Sequence, residues 1–135
     1  MCSLFPQKVL DIIINELHPK SALDVGCGCG ISLDYFIKNK IDAVGLENSS
    51  KAIEKAFNKE KIIKHNLNKA FSINRDFDLV WSFEVIEHIH PDFELTFLNT
   101  ITNKSPVIII SAARPGQGGH GHFKKQLPEY WIEKF

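Results

Sequence analysis

Residues 26–30 read "GCGCG", three glycines alternating with two cysteines, inside "LDVGCGCGISLDYF" at 23–36. An apolar run precedes them and helical spacing follows. Glycine lacks a Cβ and takes positive φ, so a ligand can lie against bare backbone there. A helix starting near Gly30 would aim free N–H groups and its positive dipole end into the same space, which suits a carboxylate or a phosphate. Asp24 stands just before the turn, and Glu47 closes the next strand-like run. A carboxylate at that second position can accept from both hydroxyls of a ribose. The pattern points to a nucleoside-bearing ligand, with an ordinary strand-to-helix turn as the plainer reading.

Two such ligands fit, a nicotinamide dinucleotide or S-adenosylmethionine. The dinucleotide fingerprint G-x-G-x-x-G places its third glycine one residue later than Gly30, where this chain has Ile31. Asp24 would also put negative charge beside a pyrophosphate. S-adenosylmethionine has no phosphate, and its sulfonium and ammonium suit that carboxylate. Cys27 and Cys29 make poor tetrahedral metal partners without a second pair, and Cys2 is the only other cysteine. We read them as small side chains in a crowded loop. Three cysteines, two of them one residue apart, also speak against a disulfide framework and for a reducing, cytoplasmic setting.

The elements that must carry these residues follow from periodicity. Leu10, Ile13, Ile14 and Leu17 share one helix face, with Pro6 at its start. "SALDV" (21–25) reads as a buried strand, and helical spacing resumes with Leu33, Phe36 and Ile37. "IDAVGLE" (41–47) reads as a second strand. Ser49 or Ser50 can cap a third helix bearing Ile53, Ala56 and Phe57. "KIIKHN" (61–66) and "FDLVWSF" (77–83) read as strands three and four. Phe93, Phe97 and Ile101 mark a helix over 91–101. "SPVIIISAA" (105–113) reads as a fifth strand buried on both faces, because its apolar run does not alternate. A loop follows at 114–121, and a last helix starts at Pro128. Strands alternating with helices predict an α/β fold, a mainly parallel, doubly wound sheet with a crevice at the strand ends.

The totals agree. The chain has 135 residues, 44% of them apolar, and a formal net charge of zero. These predict one domain, without the basic excess that marks nucleic-acid binding. No apolar run approaches the length of a membrane span, and the start lacks the features of a signal peptide.

Taken in order, "ALDVGCGCG", "AVGLENS", "KHNLN" and "FDLVWSFEVIEHI" resemble the motifs of class I S-adenosylmethionine-dependent methyltransferases. The segment from 111 to 135 is similar to the region after strand five in small methyltransferases. The resemblance implies a Rossmann-like sheet in the order 3-2-1-4-5. It also implies that Asp24, Gly26, Cys27, Gly28 and Gly30 line the methionine portion. Glu47 would hold the ribose, with Asn48 beside the adenine. Asn66 stands where the family commonly has Asp. Ser82, Phe83 and Glu84 would face the reactive end, with Phe83 against the adenosine or near the sulfonium, and Trp81 is read as core.

Methyl transfer needs a base only when the acceptor must lose a proton. Candidates are Glu84, His88, His120 and His122, and the expected catalytic residues are His120, His122 and Glu84. "EHIH" (87–90) is either a catalytic or metal cluster or a structural one; we read Glu87 and His88 as orienting the loop after strand four, and expect no metal. Arg114 is a candidate contact for an anionic acceptor. The reading divides the chain into an N-terminal helix (1–19), a cofactor core (20–113) and an acceptor-side segment (114–135). The family's antiparallel C-terminal hairpin is missing from the sequence. Strand five should therefore present an open edge, which points to truncation or to a homodimer through that edge. The expected partner is a small-molecule or sugar-like acceptor, methylated at oxygen, with no strong nucleic-acid signal and no membrane involved.

Overall fold

β1 (Ser21–Val25) is the hub of the sheet, with residues 22–25 buried and a strand paired on each side. The computed structural model describes residues 5–135, so Cys2 lies outside the described residues. Before β1 comes α1 (Gln7–Leu17), and after it α2 (Ile31–Lys38), β2 (Asp42–Glu47) and α3 (Ser50–Glu54). Then come β3 (Ile62–Lys64), β4 (Leu79–Ser82), α4 (Glu94–Thr102), β5 (Ile108–Ile110) and α5 (Pro128–Ile132). The strands are all parallel, in the order β3-β2-β1-β4-β5. The chain moves outward from β1 to β3 and then returns to β1's other side as β4. The crevice at the carboxyl ends of β1 and β4 is therefore the switch point where such sheets bind ligands.

Side chains alternate across the sheet and build two cores. On one face Ala22, Leu79 and Trp81 pack with Leu10 and Ile13 of α1 and with Leu33 and Phe36 of α2. Phe36 meets Trp81 edge-on, with ring centroids 6.3 Å apart. On the other face Leu23, Val25 and Val80 pack with Phe97 and Ile101 of α4 and Trp131 of α5. Burying one such large side chain contributes roughly 1.5–3 kcal/mol. Asp78 aligns the starts of β1 and β4: its Oδ2 accepts from the backbone N–H of Lys20 (2.7 Å) and Ser21 (3.2 Å), and its own N–H donates to Ser21 Oγ (3.0 Å).

Three expectations need correcting. The third helix ends at Glu54, so Phe57 is not on its buried face and is 84% exposed. The chain turns away there, and Asn58 Nδ2 donates to Asp34 Oδ1 at 2.8 Å. The helix over 91–101 opens as a 3-10 turn, Pro91–Phe93, before α4 begins. β5 is half-buried throughout, not fully covered on both faces, and among the described residues no strand lies beyond it. Among the described residues no helix is long and apolar enough to cross a membrane.

Candidate active site

The loop after β1 is held by β2. Gly26 and Cys27 donate their backbone N–H groups to the Leu46 carbonyl, at 2.8 and 3.0 Å. Gly26 sits at φ +76°, and a Cβ there would lie 2.5 Å from Val85 Cγ2, so both conformation and space demand glycine. Gly28 has open space where a side chain would stand. Gly30 caps α2, with its N–H on the Cys27 carbonyl at 2.9 Å. Cys27 packs its sulfur over Gly45, where a Cβ would come within 2.6 Å of it. Burial pushes the free Cys27 thiol far above its ordinary range, which makes it a filler and not a nucleophile.

Both predicted acids reach this loop. Glu47 Oε2 accepts from the Gly28 N–H at 2.8 Å and Oε1 from the Ser49 N–H at 2.7 Å, so each oxygen keeps a lone pair for a further donor. Asp24 is 3% exposed, and its Oδ2 has no hydrogen-bond partner. Burial, and then the Glu47 carboxylate, push the Asp24 carboxyl up to about 8, against a smaller opposing pull from the Leu33 backbone N–H. A buried carboxyl without a partner is costly unless something cationic meets it. Asp24, Gly26, Cys27, Gly28 and Phe83 line a narrow crevice of about 30 Å³, with Phe5 and Trp81 at its wall. Phe83 stacks on Trp81 at 5.4 Å with the rings 3° from parallel, and Trp81 is core as expected. A much larger cavity of about 740 Å³ runs along the β5 edge instead, lined by Ile108, Ile110, Arg114, Trp131 and Phe135.

The remaining cofactor candidates are more peripheral. Asn48 is exposed. Asn66 Oδ1 accepts from the Asn68 N–H at 2.9 Å, which makes the side chain the pivot of a local turn. Ser82 is buried, and its hydroxyl donates to the Val25 carbonyl at 3.0 Å, tying β4 to β1.

The acceptor-side loop folds back onto the segment after β4. Phe123 donates its N–H to the Glu87 carbonyl at 2.8 Å. The His122 ring meets His88 edge-on, with centroids 4.8 Å apart. Gly119 makes room for that ring, since a Cβ on it would lie 2.2 Å from the imidazole. Burial, then His88, hold the His122 imidazole below its ordinary value. Burial likewise pushes the Glu87 carboxyl up. Glu84 takes φ +58°, donates its N–H to Ser111 Oγ (2.6 Å) and accepts from the same hydroxyl at Oε1 (3.0 Å). His120 and Arg114 are exposed. Of the three expected catalytic residues, His122 and Glu84 thus border one region, and His120 is not drawn into it.

Sequence reasoning missed Phe5, Ser111 and the anchor of the C-terminal segment. In that anchor Lys124 bonds Glu94 Oε2 at 2.5 Å and also the Tyr130 hydroxyl, which donates to Glu94 Oε1 at 2.9 Å. Gly45, in mid-strand, was the signal for close packing beneath the loop.

Residues 5–117 match the model of the methyltransferase domain family. Among solved structures, the methyltransferase domain of bacterial CtHen1 superposes with a TM-score of 0.74 at 19% identity, covering 94% of this chain and 80% of that one. A SAM-dependent methyltransferase from Archaeoglobus fulgidus gives 0.75 at 19% identity, over 94% and 63%. The sugar N-methyltransferase KedS8 from Streptoalloteichus gives 0.67 at 22% identity, over 86% and 51%. At these identities the likeness establishes the fold. No curated protein gave a significant match. The family match spans most of the chain, and its sheet order and glycine loop are those its sequence motifs called for: the chain belongs to the methyltransferase domain family.

Proposed function

We propose that this chain transfers the methyl group of S-adenosylmethionine to a hydroxyl of a small-molecule or sugar-like acceptor. The observation that carries the reading is the pair of acids at adjacent strand ends, Asp24 buried with its Oδ2 unpartnered and Glu47 braced on the Gly28 N–H. Asp24 meets the ligand's cations and Glu47 its ribose, over backbone that carries no side chain at Gly28. The donor brings a methyl carbon already activated by its sulfonium. The acceptor oxygen attacks that carbon as the carbon–sulfur bond breaks. The bonding pair goes to sulfur, the thioether leaves, and the hydroxyl proton passes to a base. Alignment in the crevice supplies much of the rate. Glu84 and His122 border the acceptor side, and Glu84 is the group we assign to take the proton.

The test pairs binding with turnover. Calorimetry should show S-adenosylmethionine and its demethylated product binding, and NAD not binding. Transfer of a labelled methyl group to a panel of hydroxylated acceptors should then be measurable. Binding without any turnover would favour a second reading, a cofactor-holding module that works through a partner; the open β5 edge, with Ile108–Ile110 half-buried beside the large cavity, supports it. We also propose that a second copy covers this edge, since a bare apolar strand invites pairing. A monomer in sedimentation at high concentration would count against that pairing.

A further inference from the structure

Among the described residues, Glu87, His88 and His122 each place one ligand atom within 4.8 Å of the other two. They come from the 3-10 turn after β4 and from the glycine-rich loop 35 positions further along. We propose that these three side chains form a binding site for a divalent transition cation such as Mn²⁺, whose open positions take an acceptor hydroxyl oxygen. The role assigned to the ion rests on the methyl-transfer reading; the site itself does not.

The polar inventory argues for a cation. Glu87 is 0% exposed, and neither carboxylate oxygen has a hydrogen-bond partner. His122 Nδ1 is buried and unpartnered as well. Each such orphan is a cost that a cation would remove. Glu84 adds a second negative charge beside Glu87, which raises the cost of leaving the pair uncompensated. No Lys or Arg bonds Glu87.

The donor set also fits. His88 Nδ1 lies 3.0 Å from the Gly121 carbonyl oxygen. A carbonyl only accepts, so Nδ1 carries the proton and Nε2 keeps its lone pair. Fixing a ligand imidazole through its far nitrogen is the usual outer support of a metal site. Two imidazoles and one carboxylate suit Mn²⁺, Fe²⁺, Co²⁺ or Zn²⁺ better than the all-oxygen preference of Mg²⁺ or Ca²⁺. Ligand atoms about 2.1 Å from an ion stand up to about 4.2 Å apart, so small ring rotations close the site. The loop is built for the purpose: Gly119 clears space for the His122 ring, and the Phe123 N–H pins the chain to the Glu87 carbonyl.

The experiment titrates Mn²⁺ into the chelator-treated full chain and follows loss of the free-ion paramagnetic resonance signal. One ion should bind per chain. Glu87→Gln and His122→Ala should each weaken binding by at least about 100-fold. His18→Asn, at the C-cap of α1, should leave it unchanged. Circular dichroism confirms that each variant folds, and Glu87→Gln, nearly isosteric, covers the case in which His122→Ala does not. No signal loss at millimolar ion, or equal affinity in Glu87→Gln, overturns the proposal. S-adenosylmethionine binding measured in excess chelator reads the cofactor site separately. If it is intact while Mn²⁺ fails, only the cation site falls; if it is absent, the methyl-transfer reading falls by itself.

Discussion

Asp24→Asn removes the ionisable group on which the proposed cofactor binding depends. Burial and Glu47 push this carboxyl up to about 8, so at pH 7 the ligand-free protein holds it protonated by about ten to one. A sulfonium or ammonium partner needs the carboxylate. Binding should therefore release about 0.9 proton at pH 7 and about 0.1 at pH 9, and affinity should rise about tenfold from pH 6 to pH 7 before levelling above 8. The ligand's own α-amino group titrates near 8 as well. The quantity to read is thus the difference between wild type and Asp24→Asn, from calorimetry in buffers of unlike ionisation enthalpy. Stability moves the other way. The unfolded chain releases this proton near 3.9 and the native state near 8, so stability falls between those pH values, by on the order of 5 kcal/mol. Asp24→Asn should abolish that fall, raising the thermal midpoint of the ligand-free protein at pH 8 while weakening ligand binding. Equal proton release in both proteins, or a wild type that gains stability from pH 4 to pH 8 relative to the variant, refutes the reasoning.

Other changes have defined outcomes. Gly26→Ala meets Val85 at 2.5 Å with φ at +76° and should cost roughly 2–4 kcal/mol by denaturant titration; adding Val85→Ala should return only the steric part. Ser82→Ala loses the bond to the Val25 carbonyl and should cost about 1 kcal/mol while leaving cofactor affinity within about twofold. Trp131 is 4% exposed, so Trp131→Ala should cost roughly 3–5 kcal/mol, whereas Trp131→Phe, which also removes an unpartnered indole N–H, should cost far less. Burial raises the Glu94 pKa, but hydrogen bonds from Lys124 and Tyr130 more than offset it and hold the carboxyl below its ordinary value. Its stabilising contribution is therefore full above the unfolded value near 4.3 and lost as pH falls through the folded value. Amides of residues 124–134 should accordingly exchange faster in acid, before the sheet opens.

What the sequence revealed depended on how local the cause was. β1, the glycine loop and Glu47 were readable because a buried parallel strand needs a continuous apolar run and the acid must end its neighbour. Phe57 misled because helical spacing continued after the helix had ended, where Asn58 turns to Asp34. β5 misled only about its faces: an unbroken apolar run at 107–110 implies two covered faces, whereas all three strand residues are half-buried. Ser82 sits where a ligand contact was expected, and its hydroxyl bonds the Val25 carbonyl of β1. The meeting of His122 with His88 and Glu87 depends on how a loop returns, which only Gly119 and Gly121 hinted at.

The most direct test is a crystal structure with the demethylated cofactor bound. The account predicts its ribose hydroxyls on Glu47, its amino group at Asp24 and its backbone along Gly26–Gly28. A ligand seated instead in the large cavity beside β5, with Asp24 still unpartnered, would contradict it.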